Sequence, residues 1–151
     1  MGEVVAVCIS ETRGVQKKPV DVIECVPGLG IRADAHAGDW HRQVSLLAEE
    51  SAEAMRARGV AVDPGDFAEN ILTRGIDIPH LPVGTRLRIG PTVVLEVTQI
   101  GKECHHGCAI YQAAGDCVMP REGIFGVVIA GGAIHPGDGI DVLPDRTAGA
   151  E

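Results

Sequence analysis

Short apolar segments separated by glycine and proline recur along almost the whole chain and limit the folds that it can adopt. Valine and isoleucine dominate residues 4–9 (VVAVCI), 92–100 (TVVLEVTQI) and 124–130 (IFGVVIA). Twenty glycines and nine prolines supply turns between such segments, a pattern typical of a β-sandwich or β-barrel. Aromatic residues make up only 3% of the sequence, so the core must be mainly aliphatic. We therefore predict a mainly β fold with few helices.

The remaining elements follow from local patterns. Further strands are predicted at residues 20–26, 42–47, 85–90 and 139–144. Gly90 and Pro91 separate two of the predicted strands and indicate a hairpin. Residues 49–58 predict a helix with acids at its start, arginines at its end and Gly59 as its stop. A second short helix is predicted at residues 106–113.

Length and charge exclude several classes of protein. The 151 residues are predicted to form one domain at residues 1–145, with 146–151 as a frayed tail. A net charge of −8 argues against a general nucleic-acid surface. No apolar stretch is long enough to span a membrane, and the first ten residues do not resemble a secretory signal. We therefore expect a cytoplasmic protein, in which structural disulfides are uncommon.

The segment 101–123, GKECHHGCAIYQAAGDCVMPREG, contains three of the five cysteines and two adjacent histidines. Three interpretations remain open, namely a zinc site, a disulfide, and a reactive thiolate. Zinc would need Cys104, Cys108 and Cys117 with a histidine, but Cys117 lacks the paired second ligand that structural zinc sites usually have. A zinc site is therefore the least favoured of the three interpretations.

Cys117 stands in a loop-like context between Gly115-Asp116 and Pro120-Arg121. An arginine that folds back over a sulfur lowers the pKa of the thiol, and Glu122 can hold Arg121 by a paired interaction. A solvated turn is the alternative interpretation. Cys8 and Cys25, inside predicted strands, are interpreted as small buried apolar residues.

Three other polar segments are candidates for binding. Residues 34–43, DAHAGDWHRQ, indicate either a metal site or a polar loop that involves His36, Asp39, His41 and Arg42. The basic residues Arg13, Lys17 and Lys18 indicate either a phosphate contact or a solvated loop. Residues 63–71, DPGDFAENI, indicate a turn that leads into a strand or short helix, and the side chains of Asp66, Glu69 and Asn70 can cap backbone donors or orient a neighbouring base.

Taken in order, these segments resemble the MOSC domain, which is named after the C-terminal part of molybdenum cofactor sulfurase. The opening strand leads into SETRGVQKKPV, GIRADAHAGDWHRQVSLL and then GDFAENILTRGIDIPHLPVGTRLRIG. The segments LEVTQIGKECHHGC and REGIFGVVIAGGAIHPGDGI complete the order. The resemblance covers residues 4–142 and is greatest to the small stand-alone bacterial members.

The resemblance implies a MOSC-type β-barrel with a few peripheral α-helices. It also implies a link to the molybdenum cofactor, whose organic part is molybdopterin, or to sulfur transfer. In the family, a cysteine after the long LEVTQ-type strand is the proposed sulfur carrier or molybdenum ligand, and the matching position is Cys104. The segment here ends in Gly-Lys-Glu-Cys, where the common form is Pro-Arg-x-Pro-Cys.

On this resemblance we expect sulfur transfer or carbon–sulfur bond chemistry through a cysteine persulfide, without pyridoxal phosphate. The residues predicted for catalysis are Cys104, Cys117, His106 and Arg121, with His106 as the proton donor or acceptor. The residues predicted to bind the cofactor are Lys17, Lys18, His36, Arg42, Asn70, Lys102 and Glu122. Cys104 is also the predicted molybdenum ligand.

The expected partners are molybdopterin or a sulfur-bearing small molecule, with a cysteine desulfurase or a molybdoenzyme as the protein partner. An oligomer is compatible with the sequence, whereas nucleic acid and membrane partners are not expected. Two alternatives stay open. The first is a non-catalytic protein that binds or carries molybdenum cofactor, and the second is a small structural zinc protein.

Overall fold

The fold is known from a computed structural model, which describes residues 2–12, 16–57, 59, 63–100 and 123–143. Strands dominate this part of the chain. The strands are β1 Gly2–Ile9, β2 Lys18–Val20, β3 Ile23–Val26, β4 Gly30–Ile31, β5 Val44–Ala48, β6 Ile71–Arg74, β7 Arg86–Ile89, β8 Val93–Ile100, β9 Ile124–Ala130, β10 Gly132–Ile134 and β11 Gly139–Val142. The helices are α1 Glu49–Ala57 and a 3-10 turn at Ile78–His80.

Seven strands close into a β-barrel in the order β11-β7-β8-β9-β5-β6-β1, and β1 pairs with β11 to complete the ring. Seven strands cannot close by antiparallel pairing alone, because directions cannot alternate around an odd number. The parallel pair that resolves this is β5 with β6. A parallel pair needs a crossover connection, and the chain provides one that contains α1.

A smaller antiparallel sheet, in the order β10-β3-β4, extends from the barrel. Strand β2 pairs with β1 beside the barrel wall. The predicted hairpin is confirmed, since Ile89 lies opposite Val93 in the β7–β8 pair. The single strand predicted over residues 20–26 is wrong, because Asp21 and Val22 are exposed and separate β2 from β3.

Adjacent residues of one strand point into two different apolar clusters, as the period of two in a strand requires. Val7, Leu46 and Ile71 belong to the main cluster enclosed by the barrel. Their chain neighbours Cys8, Leu47 and Leu72 join a second cluster, which also includes Met55 of α1. Strand β5 is therefore buried on both faces, which accounts for its nearly uninterrupted apolar sequence.

The predicted helix at residues 49–58 is confirmed as α1 over Glu49–Ala57, with Glu49 and Glu50 in its first turn. Strands β4 and β10, with two and three residues, were not predicted, and the strand or short helix indicated after residues 63–70 is the strand β6. The helix predicted at residues 106–113 lies outside the described residues. Within the described ranges, no helix has the length and apolar character needed to cross a membrane.

Candidate functional site

A buried ion pair between Lys17 and Asp34 anchors the candidate site. Lys17 Nζ lies 2.9 Å from Asp34 Oδ1, and both side chains are 0% exposed. The same ammonium group donates a hydrogen bond to Ser10 Oγ at 3.0 Å. Ser10 follows β1, Lys17 precedes β2, and Asp34 lies on the loop between β4 and β5. The pair therefore connects three separate segments away from solvent.

The Asp34 carboxylate also accepts two backbone hydrogen bonds. Ser10 N donates to Oδ1 at 3.1 Å and His36 N donates to Oδ2 at 3.0 Å. Burial alone would raise the pKa of Asp34, but interactions with His36 and Lys17 outweigh it and hold this pKa well below its ordinary value. Asp34 is therefore a fixed negative charge at neutral pH.

His36 lies against this carboxylate and against the indole of Trp40. Its Nδ1 atom is 3.6 Å from Asp34 Oδ2, which is an electrostatic contact but too long for a hydrogen bond. The rings of His36 and Trp40 stack with centroids 6.2 Å apart and planes 11° from parallel. Trp40 Nε1 donates to the carbonyl oxygen of His36 at 2.7 Å. These contacts fix the plane of the imidazole.

Arg42 contacts aromatic rings, whereas the other arginines that the structure describes contact acids. Its guanidinium carbon lies 4.9 Å from the ring centre of Trp40 and 5.6 Å from that of Phe125. Arg42 Nε is buried without a hydrogen-bond partner. The other described arginines, by contrast, each contact a carboxylate, namely Arg32, Arg56, Arg74, Arg86 and Arg88.

An arginine oriented in this way, with no acidic partner in the described part of the chain, retains its positive charge for an incoming anion. Stacking on aromatic rings restrains the guanidinium without neutralising it. The Arg42 side chain is half-buried, and carboxylates and phosphates are the groups that a guanidinium binds best. The residues present thus fit the anionic end of a cofactor or substrate.

The same loop reaches the place where segment 101–122 joins the barrel. Ile100, the last residue of β8, pairs directly with Ile124, the first residue of β9. Beside that pair, His41 Nε2 lies 2.8 Å from Gln99 Oε1, and Thr98 Oγ1 donates to the carbonyl oxygen of His41. Since Arg42 packs on Phe125, the loop contacts residues at both ends of the segment that carries Cys104 and Cys117.

Sequence comparison supports the resemblance that the motifs indicate. The family model of the MOSC domain matches residues 33–141, which include the loop just described and most of the barrel. The chain belongs to the MOSC domain family. This family is linked to molybdenum cofactor sulfurase-type proteins. A comparison with curated proteins found no match.

Solved structures share the fold of this MOSC domain. YuaD from Bacillus subtilis superposes with a TM-score of 0.76 at 22% identity, with 94% of this chain and 96% of that chain covered. YiiM from Geobacillus stearothermophilus gives a TM-score of 0.71 at 16% identity, covering 95% and 76%. YiiM from Escherichia coli gives 0.66 at 19% identity, covering 95% and 70%. At these identities the likeness establishes the fold alone.

The five predicted cofactor-binding residues that the structure describes have different surroundings in this MOSC domain. His36 and Arg42 lie together around Trp40, as the contacts above show. Lys17 is near them, but its ammonium is occupied by Asp34 and Ser10. Lys18 is exposed on β2. Asn70 is 0% exposed, and its side chain bonds Ser45 and Cys8.

Asn70 ties β1, β5 and β6 together through its side chain and backbone. Its Oδ1 accepts hydrogen bonds from the backbone nitrogen of Ser45 at 3.0 Å and from Ser45 Oγ at 3.2 Å. Its Nδ2 donates to the carbonyl oxygen of Cys8 at 3.0 Å. These bonds give Asn70 a structural role, and contact with a cofactor stays a prediction for this residue.

Six predicted site residues lie outside the described residues, namely Lys102, Cys104, His106, Cys117, Arg121 and Glu122. Their assignments stay predictions. The two described cysteines, Cys8 and Cys25, are buried and free, as predicted. Burial raises the pKa of each thiol to about 12, so neither is a nucleophile at neutral pH.

The metal alternative for residues 34–43 gains no support from the described residues. Within the described ranges, no three His, Cys, Asp or Glu side chains form a group that could hold a metal ion. The rings of His36 and His41 both contact Trp40, one by stacking and one edge-on. His36 Nδ1 faces Asp34, whereas His41 Nε2 bonds Gln99, so the two imidazoles have different partners.

Sequence reasoning did not include Asp34 among the site residues, although it is the best-connected charge there. The prediction began at His36 and took Asp39 as the local acid, but Asp39 is exposed. The available signal was the Asp-x-His spacing of Asp34 and His36. In an Asx turn, an Asp side chain accepts a hydrogen bond from the backbone N–H two residues further along the chain. Asp34 and His36 have this spacing.

Proposed function

We propose that this MOSC domain binds the molybdenum cofactor or a related anionic molecule and transfers sulfur through a cysteine in segment 101–122. Cys104 is the first candidate and Cys117 the second. The observation that supports the proposal is Arg42, an arginine without an acidic partner among the described residues. It packs on Phe125, at the end of the segment that carries both cysteines.

Arg42 would hold the anionic end of the ligand. His36, which also contacts the Trp40 ring, would lie beside it. Lys17 would act indirectly, because its charge is already paired with Asp34. Molybdenum cofactor, when bound, would supply a metal with affinity for soft sulfur ligands, which suits a cysteine thiolate. The cofactor's phosphate would be the group best matched to a guanidinium.

The proposed sulfur transfer is a thiol–persulfide exchange. The cysteine thiolate attacks the outer sulfur of a donor persulfide, and a new S–S bond forms as the donor S–S bond breaks. The bonding electron pair leaves on the donor thiolate, which takes up a proton. No net oxidation occurs, since the sulfane sulfur is passed on unchanged.

Incubation with a cysteine desulfurase and cysteine tests this proposal. We expect the protein to gain the mass of one sulfur atom, located by peptide mass spectrometry at Cys104 or Cys117. Serine at the acting position will abolish the gain, whereas serine at the other will leave the first transfer intact. Cys8 and Cys25 serve as internal controls, because their raised pKa keeps them protonated. If neither cysteine of the segment gains sulfur, the carrier role is wrong.

A second function, binding without catalysis, is favoured by the same unpaired arginine. In that case Arg42→Met will weaken molybdopterin binding about 10- to 100-fold, which corresponds to the loss of a charged hydrogen bond of about 1.5–3 kcal/mol. Substitution of Cys104 and Cys117 by serine will leave binding intact. Equilibrium dialysis or fluorescence titration measures both effects.

Arg32→Met is the matched control for the binding experiment, because Arg32 is an exposed arginine paired with Glu24 at 2.9 Å. It should bind molybdopterin like the wild type. Equal loss in both variants would show that total charge, and not the placement of Arg42, governs binding.

A further inference from the structure

The backbone on both sides of Arg42 is bonded to the barrel. On one side, Thr98 Oγ1 of β8 donates a hydrogen bond to the carbonyl oxygen of His41. On the other side, the buried side chain of Gln43 accepts a hydrogen bond from the backbone nitrogen of Val128 in β9 at 3.0 Å. Two barrel strands therefore fix the backbone at Arg42. The long side chain keeps several rotatable bonds, so other contacts must orient it.

Two aromatic rings contact the Arg42 guanidinium, and Trp40 is the nearer of the two. The guanidinium carbon lies 4.9 Å from the ring centre of Trp40 and 5.6 Å from that of Phe125. The face of an aromatic ring attracts a cation, and tryptophan does so most strongly. Because the indole carries no formal charge, it orients the guanidinium and leaves the positive charge for an anion.

Trp40 is itself held by its neighbours. Its Nε1 atom donates a hydrogen bond to the carbonyl oxygen of His36 at 2.7 Å, and the two rings stack. The backbone nitrogen of His36 in turn donates to Asp34 Oδ2 at 3.0 Å, and Asp34 is paired with the buried Lys17. The indole is therefore connected to the buried ion pair and has a defined orientation without a ligand.

We infer that Trp40 is the positioning residue of the anion site, and that its ring holds the Arg42 guanidinium in the orientation that binds an oxyanion such as phosphate. The inference rests on the anion-binding part of the proposed function and adds the residue on which that binding depends. Ordering a flexible side chain at the moment of binding lowers affinity by roughly 3- to 10-fold. A guanidinium that is oriented beforehand avoids this loss.

Proton–nitrogen NMR of the arginine side chains in the full chain tests the orientation without any ligand. Arg42 Nε is buried, which protects its proton from exchange with water. We expect an Arg42 Nε–H signal at pH 7 that the ring current of Trp40 displaces from the signals of exposed arginines. Arg42→Met identifies the signal, because it removes it. A wild-type Arg42 signal at the position of the exposed Arg32 would overturn the inference.

Titration with inorganic phosphate measures the effect on binding, with the Arg42 signal as the readout. Trp40→Leu will weaken phosphate binding about 3- to 10-fold, because the guanidinium must then be ordered by the ligand. Trp40→Phe loses the indole N–H bond to His36 but keeps a ring that attracts a cation, so it should bind within about twofold of the wild type. Equal losses in the two variants would assign the effect to that hydrogen bond and overturn the role of the ring.

His80→Leu is the matched control variant. It also replaces a planar ring by leucine, but at an exposed position where the ring is paired with Asp77. It should bind phosphate like the wild type. The Arg32 signal serves as the control within each titration, because Arg32 is exposed and paired with Glu24. A loss in His80→Leu equal to that in Trp40→Leu would overturn the inference.

The outcomes separate this inference from the proposed function. Equal phosphate affinity in the wild type and a folded Trp40→Leu variant would overturn the role of Trp40 and leave the anion site in place. A wild-type protein that does not bind phosphate would overturn the anion site itself, and with it the proposed function. If Trp40→Leu does not fold, the ligand-free wild-type signal and the Trp40→Phe titration decide the role of the ring.

Discussion

Replacement of Lys17 by methionine will lower the free energy of unfolding by about 3–5 kcal/mol, the range typical when one partner of a buried ion pair is removed. The reason is the carboxylate left behind, since Asp34 is 0% exposed and loses its cation, while His36 alone continues to lower its pKa. Urea denaturation at pH 7 measures the loss. Protonation of Asp34 relieves it, so the difference from wild type will shrink as the pH falls.

Lys18→Met is the matched control, because the neighbouring lysine is exposed on β2. Its effect should stay within about 0.5 kcal/mol, as for most surface substitutions. The double variant Lys17→Met with Asp34→Asn removes both charges and will recover part of the loss. Equal and small effects at Lys17 and Lys18 would contradict the burial of this pair.

The barrel strands were predictable because their signal is local. A strand buried on one or both faces has a period of two or an unbroken apolar sequence, and β1, β5, β8 and β9 each show one of these. At β6 the sequence left a strand or a short helix open, because its four residues follow the polar pair Glu69 and Asn70. Pairing with β1 and β5, at distant positions in the sequence, defines it as a strand.

The site was predictable only in part, because charge pairing is not local. Lys17 looked available for a phosphate, yet its partner Asp34 is 17 residues further along the chain. Arg42 was predicted to bind cofactor, but its suitability depends on having no acidic partner among the described residues, which only the folded chain shows. His36 contacts the same Trp40 ring as Arg42, and its position depends on Asp34, which the sequence prediction did not include.

Between pH 5 and pH 8 the wild-type protein will lose about 2–3 kcal/mol of stability that a Glu69→Gln variant does not lose. Glu69 is 0% exposed, and its oxygens accept hydrogen bonds from Gly65 N at 2.8 Å and Phe67 N at 3.2 Å. Burial, with the nearby charge of Asp66, raises the pKa of Glu69 to about 7 against the opposing effect of these bonds.

The sign follows from proton binding. In the unfolded chain the pKa of a glutamate is near 4.5, so between that value and about 7 the folded state binds more protons. The stabilising contribution is therefore complete below the unfolded pKa and is lost as the pH rises through the folded pKa, at about 1.4 kcal/mol per unit of pKa shift. The pKa of Asp34 is lowered by folding, so its contribution to stability is lost as the pH falls, at pH values below this range.

Urea denaturation at intervals from pH 5 to pH 8 gives the difference in unfolding free energy between wild type and Glu69→Gln. At pH 5 the variant will be the less stable by about 1–3 kcal/mol, because its amide N–H₂ faces a backbone N–H group. As the pH rises and Glu69 ionises in the wild type, the difference in unfolding free energy will shift by about 2–3 kcal/mol in favour of the variant. Glu24→Gln, at an exposed glutamate, should show no such trend. A constant gap would mean that Glu69 ionises at an ordinary pKa despite its burial.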